Sequence, residues 1–370
     1  MIQEGGQDGA RATAQALRAA AKGLGAARLG VARLEAVRHA EAFRAWLSDG
    51  AQGTMGYLAR TASDRLDPAR RFPWARSAVL CAFPYDPDPG PEGTLLPAIA
   101  RYARGRDYHQ VLRERMGQLA CHLEGLAGRS LRSFVFSDTA PLVERDLPER
   151  AGLGWIGKHT GLLTEDAGSW LLLSGFLTEL PLEPSERNPE RCGVCTACLD
   201  VCPTGAITAP YRLDARRCIA YLTIEHRGWI PREMRPYLAD WLFGCDLCQA
   251  VCPWNAHAPK GLPEFRARPE HAALTLGELI ALSPSRYTAL FRGSPMKRAT
   301  RAGLRRNAMI LAGNRRDASA RDALSEALRD PDPVLRGTAA WALRRLGGSG
   351  EEIALALARE TDPEARQEMV

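Results

Sequence analysis

Cys192-Gly193-Val194-Cys195-Thr196-Ala197-Cys198-Leu199-Asp200-Val201-Cys202-Pro203 decides how this chain is read. Three cysteines at two-residue intervals, then a fourth followed by proline, form a short loop that can wrap an iron–sulfur cubane while the fourth thiolate reaches a second one. The run Cys245-Asp246-Leu247-Cys248-Gln249-Ala250-Val251-Cys252-Pro253 repeats the end of that pattern without its first member. The missing thiol is Cys218, 27 positions before Cys245, with Tyr221–Trp241 inserted between them. The spacing predicts two 4Fe-4S clusters. Cys192, Cys195, Cys198 and Cys252 hold one; Cys202, Cys218, Cys245 and Cys248 hold the other. The competing reading is zinc, since C-x2-C pairs also build structural zinc sites, but zinc has no need of the full four-cysteine run with its proline.

Eight of the ten cysteines lie between Cys192 and Cys252, and such clustering is not a disulfide framework. Cys81, in an apolar strand, and Cys121, in a helix, are expected to be buried structural thiols. The chain has 370 residues, 45% hydrophobic and 25% charged, which excludes disorder, collagen and a small disulfide scaffold. Residues 1–25 contain no apolar core with a cleavage site, and no stretch is long and apolar enough to span a bilayer. A cytoplasmic protein with reduced thiols and no membrane association is expected. The net charge of +6 comes from 49 basic and 43 acidic residues. Only Lys22, Lys158, Lys260 and Lys297 are lysine, so arginine carries the basicity.

Outward from the cysteines, the chain divides into three. Residues 1–180 alternate helical stretches (Ala14–Leu24, Val37–Leu47, Val111–Ala127) with strand-like runs (Ala78–Phe83, Ser133–Phe136, Trp170–Leu177), the pattern of an α/β domain. A Pro- and Glu-rich linker, Pro181–Glu190, leads into the cysteine region, taken as 181–260. Residues 261–370 hold a connector and then short helices. Within these, Asp332-Pro333-Val334-Leu335-Arg336 and Asp362-Pro363-Glu364-Ala365-Arg366 recur 30 residues apart, and Arg306 lies 30 residues before Arg336. Helical hairpins at this interval resemble HEAT repeats, which stack to bury faces that one hairpin cannot bury alone.

Phe134-Val135-Phe136-Ser137-Asp138 reads as a strand ending on a carboxylate that faces a cleft, with a helix beginning near Pro141. Gly152-Leu153-Gly154-Trp155-Ile156-Gly157-Lys158 matches G-x-G-x-x-G and nearly matches a P-loop, with His159 in place of Ser or Thr. Both matches are expected to be false, because the run follows the helical Leu142–Ala151 rather than a strand. A Gly-rich turn here offers close approach to a large flat or anionic group. Asp107-x-His109 is similar to the start of a cobalt-ligating D-x-H-x-x-G motif, but Leu112 stands in the glycine position, so His109 is expected at the surface or behind the site.

Taken in order, Asp138-Thr139-Ala140-Pro141, Ala151 to Lys158, the eight cysteines, Tyr221-Leu222-Thr223, Gly244-Cys245-Asp246 and the repeat tail resemble the epoxyqueuosine reductase family over nearly the whole chain from Ala14. The resemblance implies a nitroreductase-like cobalamin-binding domain, a ferredoxin-like domain with two 4Fe-4S clusters, and HEAT-like helical repeats. It implies reduction of epoxyqueuosine to queuosine at the wobble position of transfer RNA, with an external low-potential electron donor and a monomeric enzyme. It makes Asp138 the catalytic proton donor and a cobalamin contact, its pKa raised by burial beside the corrin. The other implied cobalamin contacts are Arg65, Tyr102, Lys158, Leu162 and Leu173. Two other readings are a two-cluster electron carrier without chemistry of its own, and a reductive dehalogenase-like cobalamin enzyme acting on a small molecule.

Between Arg286 and Arg316 there are nine basic residues and no acidic one. Lys297, Arg298, Arg301, Arg305 and Arg306 are the expected transfer RNA contacts, presented by the first repeat to a phosphate backbone.

Overall fold

The computed structural model describes residues 7–86, 88–347 and 350–370. Its strands are β1 (Arg28–Arg33), β2 (Ser77–Pro84), β3 (Ser133–Phe136), β4 (Trp155–Ile156), β5 (Leu162–Leu163), β6 (Leu171–Thr178), β7 (Ile207–Ala209) and β8 (Arg212–Leu213). β2 is apolar at nearly every position, which suits a strand covered on both faces. Every residue of it is buried. Val79, Cys81 and Phe83 point into a core formed with Leu17 and Ala21 of helix Gln7–Gly23 and with Leu112, Met116 and Leu119 of helix Tyr108–Ala127. Ala78, Leu80 and Ala82 point the other way, to Phe136, Leu147, Leu153, Leu162 and Leu177.

The main sheet runs β1-β2-β6-β3 with every pairing antiparallel. The expected mixture of helices and strands is present, but the sheet lacks the parallel crossovers of a βαβ fold. The strand β1 has no counterpart in the sequence reading. Its Arg-Leu-Gly-Val-Ala-Arg run is short and centred on Gly30, where a Cβ would lie 1.9 Å from the Ala151 carbonyl oxygen. Contact between elements, rather than strand propensity, explains that glycine.

Two local expectations need correction. Cys121 is exposed, not buried. The buried residues of its helix include Tyr108, Val111, Leu112, Met116, Leu119, Ala120 and Leu123, and position 121 falls off that stripe. The stretch Leu142–Ala151 is helical only over Asp146–Arg150, leaving the chain after Asp138 in turns. The Gly-rich run then forms the β4–β5 hairpin and so fails the strand-to-helix test of both phosphate motifs, as expected. Its close approach is internal: a Cβ on Gly154 would sit 1.8 Å from Leu163 O.

The tail forms helices Thr300–Arg315, Arg321–Ala327, Pro333–Arg345, Gly350–Arg359 and Pro363–Met369. Asp332 and Asp362 cap the third and fifth, accepting from Val334 N (2.9 Å) and Ala365 N (2.8 Å). The tail core continues through Leu242 and Phe243 of the cysteine region to Leu95, Ala98, Ile99 and Ala103 of the first region. In the other direction, Phe265 from the start of the connector lies in the core of the first region. The three stretches divided by sequence share cores. No helix among the described residues is long and apolar enough to cross a membrane.

Candidate functional site

The cysteine region is clasped by the first region. Thr54 N donates to the Tyr221 hydroxyl oxygen at 2.7 Å, Trp46 Nε1 to Leu213 O at 2.7 Å, Arg101 N to Asp246 Oδ2 at 2.9 Å, and Ser169 N to Asn255 Oδ1 at 2.6 Å. Within it, the thiols sort by their mutual electrostatics. Ionisation of Cys198 is opposed by Cys192, Cys252 and Cys195, and that of Cys252 by Cys192 and Cys195. Cys245 feels Cys248 and Cys218, and Cys218 feels Cys202. Cys248 feels Cys218 and Cys202 but also Cys198, so the eight thiols lie close together.

Exposure varies within one set rather than between the two: Cys195 is exposed and Val194 beside it is 98% exposed, Cys198 is buried, and the other six thiols are intermediate. Burial raises the Cys245 thiol's pKa and pushes that of Cys248 to about 12. Among the described residues, no three His, Cys, Asp or Glu side chains are grouped as for a single metal ion; a cubane spreads its four thiolates around a larger body. The sulfur of Cys202 already receives Ala206 N at 3.3 Å, the kind of N–H···S contact that tunes cluster potentials.

Asp138 ends β3 in the left-handed region, φ 58°, with its side chain 65% exposed in an open cleft. Tyr108 Oη donates to Asp138 Oδ2 at 2.8 Å, and His109 Nε2 lies 3.5 Å from the same oxygen. The other ring nitrogen, Nδ1, is 2.7 Å from Asp107 Oδ1, and the Tyr108 and His109 rings stack at 4.0 Å. Asp107 is also the helix N-cap, accepting from His109 N at 3.1 Å. Asp107, His109 and Asp138 therefore form a chain of titratable groups opening at the cleft. Behind it, Asp138 N donates to Glu144 Oε2 at 2.8 Å.

In the chain by itself, the groups around Asp138 favour its carboxylate form. Burial alone pushes its carboxyl up, but hydrogen bonds from His109 and Tyr108, with the charges of His109 and Arg145, bring it below the ordinary carboxylate range. The protons sit elsewhere. Burial opposes charge on His109, yet its hydrogen bonds to Asp107 and Asp138 raise it to about 9. Burial, and then the charge of Asp138, raises Glu144 to about 8.

The remaining candidates separate. Arg65 donates to Leu142 O at 2.7 Å, and the charge of Asp138 is felt by both Arg65 and Tyr102. Lys158 instead turns to the cysteine loop, donating from Nζ to Gly193 O (2.5 Å) and Cys195 O (2.9 Å). Leu162 lies in the core beneath the sheet, and Leu173 packs against that core from a partly buried position. Sequence reasoning missed Tyr108, Glu144 and Arg145; His109, expected at the surface or behind the site, stands behind Asp138. The Asp107-x-His109 pair was visible in the sequence, but as an incomplete metal motif rather than as a helix cap.

In the basic segment, Arg305 and Arg306 are not available to phosphates. Arg306 is 2% exposed and donates to the carbonyl oxygens of Leu222 (2.7 Å), Gly228 (2.8 Å) and His226 (3.1 Å). Arg305 is buried against Ile280 O and Asp330. The helix turns both inward, where unpaired backbone carbonyls need donors. Lys297 and Arg298 are exposed, and Arg301 is half-buried with a bond to Leu282 O. Arg298 pairs with Glu225 at 2.7 Å and lies 5.8 Å from the Tyr57 ring.

Three family models match: "4Fe-4S double cluster binding domain" over residues 191–255, "Epoxyqueuosine reductase QueG, DUF1730" over 65–139, and "HEAT repeats" over 296–370. Among curated relatives, the epoxyqueuosine reductase of Alicycliphilus denitrificans is 38% identical, covering 87% of this chain and 95% of its own. That of Pseudomonas aeruginosa is 39% identical, covering 90% and 94%. A crystal structure of an epoxyqueuosine reductase with an epoxyqueuosine-modified tRNA-Tyr stem loop superposes with a TM-score of 0.90 at 33% identity, covering 97% of both chains. The Bacillus subtilis enzyme, solved with its catalytic aspartate loop swung out of the active site, gives 0.87 at 32% identity, covering 97% of this chain and 98% of its own. With its double-cluster module, its repeat tail and this identity over most of its length, the chain belongs to the epoxyqueuosine reductase family of oxidoreductases.

Proposed function

We propose that this chain reduces epoxyqueuosine to queuosine at the wobble position of transfer RNA, with cobalamin bound between a nitroreductase-like region (1–180) and the two-cluster region (181–260). Residues 261–370 would hold the RNA. The observation that carries the mechanism is the chain Asp107–His109–Asp138 with Tyr108, open to solvent at its Asp138 end. Buried polar atoms without protein partners fit an amide-fringed macrocycle along this seam: Arg101 Nε and Nη1, Ser137 Oγ and Glu144 Oε1. When bound, cobalamin supplies a reducing cobalt centre.

The residues of the chain supply the rest. Removing an epoxide oxygen as water consumes two electrons and two protons, and the oxygen cannot leave as an alkoxide. Asp138 is the group at the open end of the proton chain. His109, protonated near neutral pH, can donate to it as a base stacked over the cleft excludes water and raises the cost of the bare carboxylate. Arg65 and Tyr102 border the same cleft, and Leu162 and Leu173 support its floor. Cys202, Cys218, Cys245 and Cys248 would pass electrons inward. Arg145, felt by both Asp138 and Cys218, supports that set as the one nearer the chemistry. Cys192, Cys195, Cys198 and Cys252, a set with one exposed member in Cys195, suit an external low-potential donor. Lys297, Arg298 and Arg301 remain as phosphate contacts, and the wobble nucleotide must be splayed from its stack to reach Asp138.

Asp138→Asn tests the reading. The variant is expected to keep its iron and corrin absorption and to lose turnover by about 10²- to 10⁴-fold. Full turnover with both cofactors present would remove Asp138 from the chemistry.

A further inference from the structure

The sequence run that imitates a phosphate loop has a different neighbour. Lys158 holds the two carbonyls of the Cys192–Cys195 turn, those of Gly193 and Cys195. Trp155, 1% exposed, comes from the same turn, and its indole Nε1 has no conventional hydrogen-bond partner. That buried N–H, without a partner in the protein, lies beside the Cys192 sulfur. The indole ring also packs edge-on against Trp254, 5.0 Å between centroids, two residues beyond Cys252. One short hairpin thus touches both ends of one ligand set. Glu190 supports it from the far side, accepting from Cys192 N at 2.5 Å.

We propose that the Trp155–Lys158 turn is an electrostatic cap on the cluster held by Cys192, Cys195, Cys198 and Cys252, setting its reduction potential as well as holding its loop. The proposal rests on the reading of that ligand set. One-electron reduction adds a negative charge to a cluster and breaks no bond. A fixed ammonium beside the loop and an unpartnered indole N–H free to donate to a ligand sulfur both stabilise that charge, so both raise the potential. Trp155 and Lys158 are positioning residues: they act through the cluster and touch no substrate. The cap would keep this cluster, whose Cys195 ligand is exposed, easy to reduce by a donor.

The test is an EPR-monitored redox titration of the full-length, cluster-loaded protein with Lys158→Met, Lys158→Arg and Trp155→Phe, alongside an iron count. The wild type should hold about eight irons per chain. A markedly lower count would overturn the ligand-set reading itself rather than the cap. With full iron, Lys158→Met and Trp155→Phe should each move one of the two potentials downward and leave the other in place, and Lys158→Arg should restore it. Full iron with both potentials unchanged in both variants overturns the proposal. If Lys158→Met sheds iron, Trp155→Phe, which leaves both carbonyl contacts intact, decides: an unchanged potential refutes the cap and a lowered one supports it.

Discussion

At the residue scale, Glu144 and His109 together make stability depend on pH in one direction. The folded protein holds the Glu144 proton up to about 8, against an ordinary value of 4.5, because burial and the Asp138 charge disfavour the carboxylate. Between those values the folded state carries more protons than the unfolded one, so stability falls as pH rises. His109, raised from 6.5 to about 9, contributes stability that is complete below 6.5 and is lost as pH climbs through about 9. Glu144→Gln should therefore remove the part of the decline that begins near 4.5 and leave the part between 6.5 and about 9. Denaturant midpoints measured across that range check this, and an unchanged profile would contradict the assignment. Both effects were invisible in the sequence, where Glu144 is one acidic residue among 43. A pKa depends on which groups surround it, and the neighbours of Glu144 come from separate parts of the chain.

At the element scale, helix Thr300–Arg315 is held by its inward face. Arg306 projects inward and supplies donors to three carbonyls at the end of helix Ile219–Ile224 and in the loop after it. Arg306→Met leaves those carbonyls buried and unpaired, at a cost of about 3–5 kcal/mol. Thermal unfolding should show the loss, while the salt dependence of RNA binding by the remaining folded protein stays as in the wild type. The sequence announces a basic stretch and a repeat, but a count of charges carries no direction. Helical phase shows which arginines share a face, and only docking against the cysteine region shows which face is covered.

At the scale of the whole molecule, the repeat tail shares a core with the cysteine region, and hydrogen bonds clasp that region to the first stretch of the chain. Lys297 is exposed, just before the helix that docks the tail. Lys297→Ala should weaken transfer RNA binding across sequences and lower the slope of log affinity against log salt by about 1. A titration at several salt concentrations measures this; an unaltered slope would exclude Lys297 from the phosphate contacts. What the sequence determined by itself was local and covalent: the cysteine intervals of a double-cluster module, the Asp-Pro caps of the repeats, and the apolar run of the central strand. What only the tertiary structure decided was direction and company: that Lys158 reaches the cysteine loop, that Arg305 and Arg306 are buried, and that His109 shares Asp138 with Tyr108. Spacing along a chain constrains ligands a few residues apart, whereas ionisation and contact depend on distances that exist only after distant segments have packed together.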